Sequence, residues 1–266
     1  MRQLAVWLGL AVAVTGRSAL AAPPTDAMAY AVLGTERVSI GAKGRVQGDV
    51  GCLSTTLAVG AGTKVTGAAA AQAITLGKNA RVSGGVFCGT VEGSTDACMA
   101  LPSPLVPPPT IVLVGAPSNT DVSAAKRSKS TTPLAPGVYG ALTVGGAAEM
   151  TRAGGTYQFE SIDVAARGKL LCRAACDVTV RTRVSVGQAT QLGAAKDVAP
   201  SSVVFRIAGQ DASTGFSAKS RAKVRGSIYA PHSGVSIGSA SNVTGAIVGG
   251  DVSVGSRARL AAATAP

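Results

Sequence analysis

Arg45, Lys64, Arg81, Lys223, Asn242 and Arg259 occupy equivalent places in short look-alike segments, each immediately before a Val or Leu. Five of these six are basic, and Lys43, Arg221 and Arg257 repeat the pattern two residues earlier. Cations at a regular interval suit one kind of chemistry, the holding of an anion that also repeats. The structural alternative is a solvated basic face that keeps the chain soluble and blocks pairing at strand edges.

The thiols come next. Cys172 and Cys176 sit in "CRAAC", a tight corner between strands, and are expected to bridge. Cys52 and Cys88 hold the same phase of two segments with a third between them. Two strand spacings, roughly 9–10 Å, exceed the ~7 Å Cα reach of a disulfide. Cys98 therefore pairs with one of the two, in the first instance Cys88, leaving an odd thiol that can link chains.

Groups for catalysis or metal binding are sparse. His232, the one histidine, lies in "APHSG" and reads as a turn residue. Zinc needs four ligands, so no metal site is expected. Ser123 and Lys126 match S-x-x-K, but no K-T-G follows. There is no phosphate loop, dinucleotide fingerprint or H-E-x-x-H, so no cofactor is expected. Asp49, Asp163, Asp177, Asp211 and Asp251 are scattered, so no acid/base pair can be named and the chain is expected not to be an enzyme. A polysaccharide-cleaving solenoid is the enzyme alternative, because fold alone does not exclude it.

The elements that position these residues are repeats. "VSIGAKGRVQG" (38–48) returns as "LAVGAGTKVTG" (57–67), "ITLGKNARVSG" (74–84) and "VSIGSASNVTG" (235–245), and more loosely at 216–226 and 252–262. The step is 19 then 17 residues in the first set (40, 59, 76) and again in the last (218, 237, 254). Apolar residues alternate within each copy, which means strands, and Val38 and Ile40 share a face. Gly41 and Gly48 are read as corner residues with positive φ. A strand, a corner and a second strand make one coil, which buries its inward side chains only when another coil stacks on it. The expected fold is all-β: a right-handed parallel β-helix with about 17–20 residues per coil. A β-sandwich is the alternative, but its turns come every 8–12 residues.

Residues 139–150 and 159–170 align with a step of 20, and 177–187 adds alternating strands. The chain divides into a leader (1–21), N-terminal rungs (22–92), a crossing segment (93–133), a main solenoid (134–262) and a tail (263–266). "LPSPLVPPPT" (101–110) cannot join a central ladder. "AAKRSKS" (124–130) is a basic loop or a short helix, and 188–201 reads as a loop.

Arg2, the apolar stretch 4–14 and the small-x-small site Ala19-Leu20-Ala21 read as a secretory signal. The stretch is too short to span a bilayer, and no later run reaches that length. Export to the periplasm, outer surface or medium makes disulfides plausible. The formal charge of +12 favours anionic partners such as acidic polysaccharide, lipid headgroups or extracellular nucleic acid. Only 3% of residues are aromatic, which argues against base-stacking recognition of nucleic acid.

The rung pattern [VIL]-x-[VIL]-G-x-x-x-[KRN]-V-x-G resembles the bactofilins, polymer-forming β-helical proteins of bacteria. The order "LAPGVYGALTV" (134–144), "GGTYQFESIDV" (154–164) and "VRGSIYAPHSGVSIG" (224–238) is similar to exported Gram-negative relatives of that type. The resemblance covers most of the chain after the leader. It implies a structural or assembly role, with the protein itself as a partner through end-to-end or lateral contacts. True bactofilins lack a signal peptide and a Pro-rich interruption. "AYAVLG" (29–34), "LAPGVY" (134–139) and the rung-rich end also resemble ice-binding β-solenoids, which use a flat Thr-rich face. No sustained Thr ladder is evident in the sequence.

Overall fold

The structure is a computed structural model and describes residues 26–93, 98–101, 111, 118, 120–130, 132–209 and 215–263. The leader, most of the Pro-rich stretch (102–110) and Asp211 lie outside the described residues. The fold is a parallel β-solenoid of about 10 turns. A long sheet of 15 strands forms two of its faces and a second sheet of 9 strands forms the third.

Chain order and axial order differ. Along the axis the long sheet begins at Val122–Ala124. It continues through Ala141–Val144, Gly155–Val164, Cys176–Val186, Val203–Ile207 with Phe216–Ala218, Ser227–Ala230 with Val235–Ile237, and Ile247–Val254. The next level is Val32–Ile40, then Val50–Cys52 with Thr56–Val59, Ala69–Leu76 and Val86–Glu92. The N-terminal rungs thus stack beyond the C-terminal ones. At the junction Val32 pairs with Ile247, Val38 with Val252 and Ile40 with Val254, all parallel. The two blocks of rungs share one apolar core. Between Glu92 and Val122 the chain returns from one end of the stack to the other. At roughly 3.3 Å per extended residue those residues can span ten levels of ~4.8 Å.

Alternation builds the interior. Leu142, Ile162, Val184, Phe216, Val235, Val252, Val38, Leu57 and Ile74 form one inward column through successive pairings. Met150, Leu170, Leu192, Val224, Val243, Leu260, Val46 and Val65 form another on the second sheet. Each column gains its burial from the levels above and below, so no coil has a core of its own.

Three local readings are corrected. The segment expected as a loop over 188–201 contains the strand Gln191–Ala194, paired to Lys169–Cys172 on one side and to Lys223–Arg225 on the other. "QLGA" lacks β-branched residues, and stacking between two formed rungs imposes the strand. Residues 124–130 form neither a plain loop nor a helix. Ala124 ends the strand Val122–Ala124 inside the segment read as crossing, and Arg127 turns the corner with φ 60°. Gly41 is not a positive-φ residue, unlike Gly48 at φ 119°; the left-handed place in that corner belongs to Lys43 at φ 58°. Gly41 is needed for space, since a Cβ there would lie 2.6 Å from the Ser256 nitrogen of the adjoining coil.

The three faces differ in exposure. On one face of the long sheet Tyr229, Val248 and Leu33 point outward but are buried under Ala27 and Tyr30, with Ile111 of the returning chain packed against them. The other face carries a hydroxyl row, Ser185, Ser217, Ser236, Ser253 and Ser39 on five consecutive levels. Asp163 and Thr143 extend the row on one side, and Ala58 and Thr75 on the other. The third face is the second sheet.

Candidate polyanion-binding ladder

The second sheet brings the sequence-predicted cations into one row. Lys223 pairs with Asn242, Asn242 with Arg259, Arg259 with Arg45, Arg45 with Lys64 and Lys64 with Arg81. Two columns separated in the sequence therefore join at Arg259–Arg45. In the other direction the row continues through Gln191, Lys169 and Glu149 to an isolated pairing with Lys129. Arg45, Lys64, Arg81, Lys223 and Arg259 are all exposed, each alternating with a buried apolar neighbour of the same strand or, at Arg81, a half-buried one.

Lys169 bonds to Glu149 at 3.2 Å. The other ion pairs among the described residues, Arg181–Glu160 and Arg206–Asp177, lie on the long sheet. Among the described residues, no carboxylate lies within ion-pair distance of Arg259, Arg45, Lys64 or Arg81. Four stacked cations without intramolecular compensation repel one another by some tenths of a kcal/mol per contact.

A second column runs along the corner between the hydroxyl face and the ladder. Ten successive coils turn there through a left-handed residue: Arg127, Ala147, Arg167, Ala189, Arg221, Ala240, Arg257, Lys43, Gly62 and Asn79 in axial order, with φ between 56° and 66°. Only Gly62 is a glycine, although this region costs other residues roughly 1–2 kcal/mol. The corner is held from inside by buried hydroxyls. Thr63 accepts from the Gly44 amide at 3.1 Å and donates to the Gly41 carbonyl at 2.8 Å. Ser241 does the same between the Ala222 amide and the Lys219 carbonyl, each at 3.2 Å. Shallow notches open along this corner, one lined by Arg127, Ala147, Arg167, Ala189 and Arg221, the next by Arg221, Ala240, Arg257 and Lys43.

Sequence reasoning placed Lys43, Arg221 and Arg257 in this second column but missed Arg127, which falls in the segment read as crossing, and Arg167, although it lies in the aligned segment 159–170. Their signal is the basic residue two places ahead of Lys129 and Lys169.

The remaining predicted groups stand apart from the ladder. Cys172–Cys176 and Cys88–Cys98 are disulfides with Cα separations of 6.3 and 5.3 Å, and Cys52 is a buried free thiol. Burial pushes that thiol's pKa up. Met99, next to Cys98, pairs with the last strand of the long sheet: the Cys88 amide donates to the Met99 carbonyl at 3.1 Å and the Met99 amide to the Val86 carbonyl at 2.9 Å. Asp49 accepts from the Ala68 amide at 2.6 Å, and Asp177 is tied to Arg206 at 3.0 Å. Asp163 stands in the hydroxyl row, and His232 is exposed in its turn.

A family model described as a domain of unknown function (DUF7305) matches residues 143–264. The match begins in the strand Ala141–Val144 and ends just after the last rung, so it covers most of the block that lies first along the axis. No curated protein and no solved structure matches the chain.

Proposed function

We propose that this chain is an exported, non-enzymatic rod that holds an anionic surface polymer, an acidic polysaccharide, along its second sheet. The fold is consistent with a structural or binding scaffold. One observation carries the finer reading: Lys223, Asn242, Arg259, Arg45, Lys64 and Arg81 stand in a single register, with four consecutive cations that no carboxylate of the described chain neutralises. A polyanion lying along the axis supplies the missing charge, and a rigid row pays little ordering entropy to receive it. Two disulfides fit an oxidising compartment, and no helix among the described residues is long and apolar enough to cross a membrane.

The test is retention on an immobilised acidic polysaccharide. The variant Arg45→Glu/Lys64→Glu/Arg81→Glu should elute at far lower salt than the wild type while keeping its circular dichroism spectrum. Unchanged retention defeats the proposal.

End-to-end polymerisation, which the bactofilin-like rung implies, requires open coil ends. Part of one end is already paired, because Met99 occupies the outer edge of the strand Val86–Glu92 at Val86–Cys88. The ice-binding reading rests on a different observation, the hydroxyl row from Ser185 to Ser39, a neutral and regular face. Thermal hysteresis measured on the purified chain separates it from polyanion binding.

A further inference from the structure

The corner column alternates. Arg127, Arg167, Arg221 and Arg257 occupy every second level, and Ala147, Ala189 and Ala240 occupy the levels between. The neighbouring ladder keeps the same beat: Lys129, Lys169, Lys223 and Arg259 accompany the arginines, while Glu149, Gln191 and Asn242 accompany the alanines. Over seven levels, then, a pair of cations recurs every two coils, and neutral or acidic residues fill the gaps. The interval is two strand spacings, roughly 9–10 Å.

This beat is a property of the stack. The chain takes 40 residues from Arg127 to Arg167, 54 to Arg221 and 36 to Arg257, yet each arrives at the same corner two levels on. Spacing cations apart to limit repulsion does not account for it. Farther along the axis Arg257 is followed directly by Lys43, and Arg259 by Arg45, Lys64 and Arg81. The alternating stretch also carries notches whose linings include both the arginines and the alanines between them, leaving the alanine levels open to a neutral unit between two charged ones.

We infer that the corner reads charge spacing: it selects a linear polysaccharide with one acidic group on every second sugar, the neutral sugar lying over Ala147, Ala189 or Ala240. The disaccharide repeat of an extended chain of that kind is close to the two-coil interval. A polyuronate charged at every sugar places half its carboxylates over the alanine levels, beside Glu149 at one of them. Nucleic acid carries phosphates far more densely, about one per 3.4 Å along each strand of a duplex. The inference rests on the proposed polyanion-binding role and adds the class of polymer.

The test compares two polysaccharides of equal total charge, one acidic at every second sugar and one at every sugar, with double-stranded DNA as a third probe. The wild type should favour the alternating polymer on the order of tenfold, because complementarity gives specificity more than raw affinity. Filling the gaps with Ala147→Arg, Ala189→Arg and Ala240→Arg, which the corner accommodates at the neighbouring levels, should erase that preference. Equal or tighter binding of the polyuronate or of DNA by the wild type overturns the spacing inference and leaves the polyanion role standing. Binding of none of the three overturns both.

Discussion

Arg45 lies directly beside Arg259 in a parallel ladder, although one belongs to the first rungs of the chain and the other to the last. That pairing sets two exposed arginines on adjacent levels of one sheet, at the place where the two blocks of rungs meet. Arg259→Gln should raise thermal stability by some tenths of a kcal/mol. Added salt should stabilise the wild type more than the variant, because it screens a repulsion the variant lacks. Thermal melts at low and high salt read both effects.

Tyr229 and Tyr30 are buried on the covered face of the long sheet. Burial pushes the Tyr229 phenol up from 10.0 to about 12, against a smaller opposing pull from Arg206, and pushes Tyr30 up as well, with help from Asp49. The unfolded phenols ionise first. Their contribution to stability is therefore complete below pH 10 and is lost as pH rises toward the folded value. Denaturant midpoints should fall across that window, and Tyr229→Phe should flatten the fall. Among the described residues the Tyr30 hydroxyl has no hydrogen-bond partner, so Tyr30→Phe should cost little at neutral pH.

The Cys88–Cys98 disulfide clips Met99 onto the terminal strand edge. Replacing both cysteines by serine should cost roughly 2–3 kcal/mol by the loop-entropy account and free the edge at Val86–Cys88 to pair with another chain. Light scattering should show association that grows with concentration in the variant, or in reduced wild type, and not in the oxidised protein.

Arg152 is fully buried, sits 5.5 Å from the ring centres of both Tyr157 and Phe205, and donates no hydrogen bond from its guanidinium to any described residue. Burial pulls its pKa down to about 10. Two aromatic faces offset part of the desolvation cost, yet the donors stay unmet. Arg152→Met should stabilise the chain by at least about 1 kcal/mol, read as a higher denaturant midpoint with an unchanged slope.

The left-handed corner gives a fifth stability test. Ala240→Gly relieves a conformation that costs alanine roughly 1–2 kcal/mol, offset by the entropy glycine loses on folding. A gain of about 0.5–1 kcal/mol is expected from chemical denaturation.

The fold was legible because inward residues such as Val38, Ile40, Val46 and their equivalents repeat with strand alternation, and one coil cannot be stable without the next. The cation row was legible for the same reason, since a fixed phase in the repeat is a fixed place on the rod. Axial order was not. The rungs at 38–48 and 235–245 look alike, and nothing local says that Val38 stacks on Val252 instead of starting a separate rod. The corner was also hidden, because arginine, alanine, lysine and asparagine stand where glycine would have marked positive φ. The strand Gln191–Ala194 was lost because its pairing partners, and not its own residues, make it a strand.

The central claim is that an anionic chain lies along the axis of the rod. The most direct measurement is the affinity of the intact protein for a size series of acidic oligosaccharides at fixed ionic strength. The account predicts that affinity climbs with oligomer length and levels off once the oligomer spans the ladder from Lys129 to Arg81, about nine strand spacings of ~4.8 Å. Affinity independent of length, or no binding at any length, contradicts it.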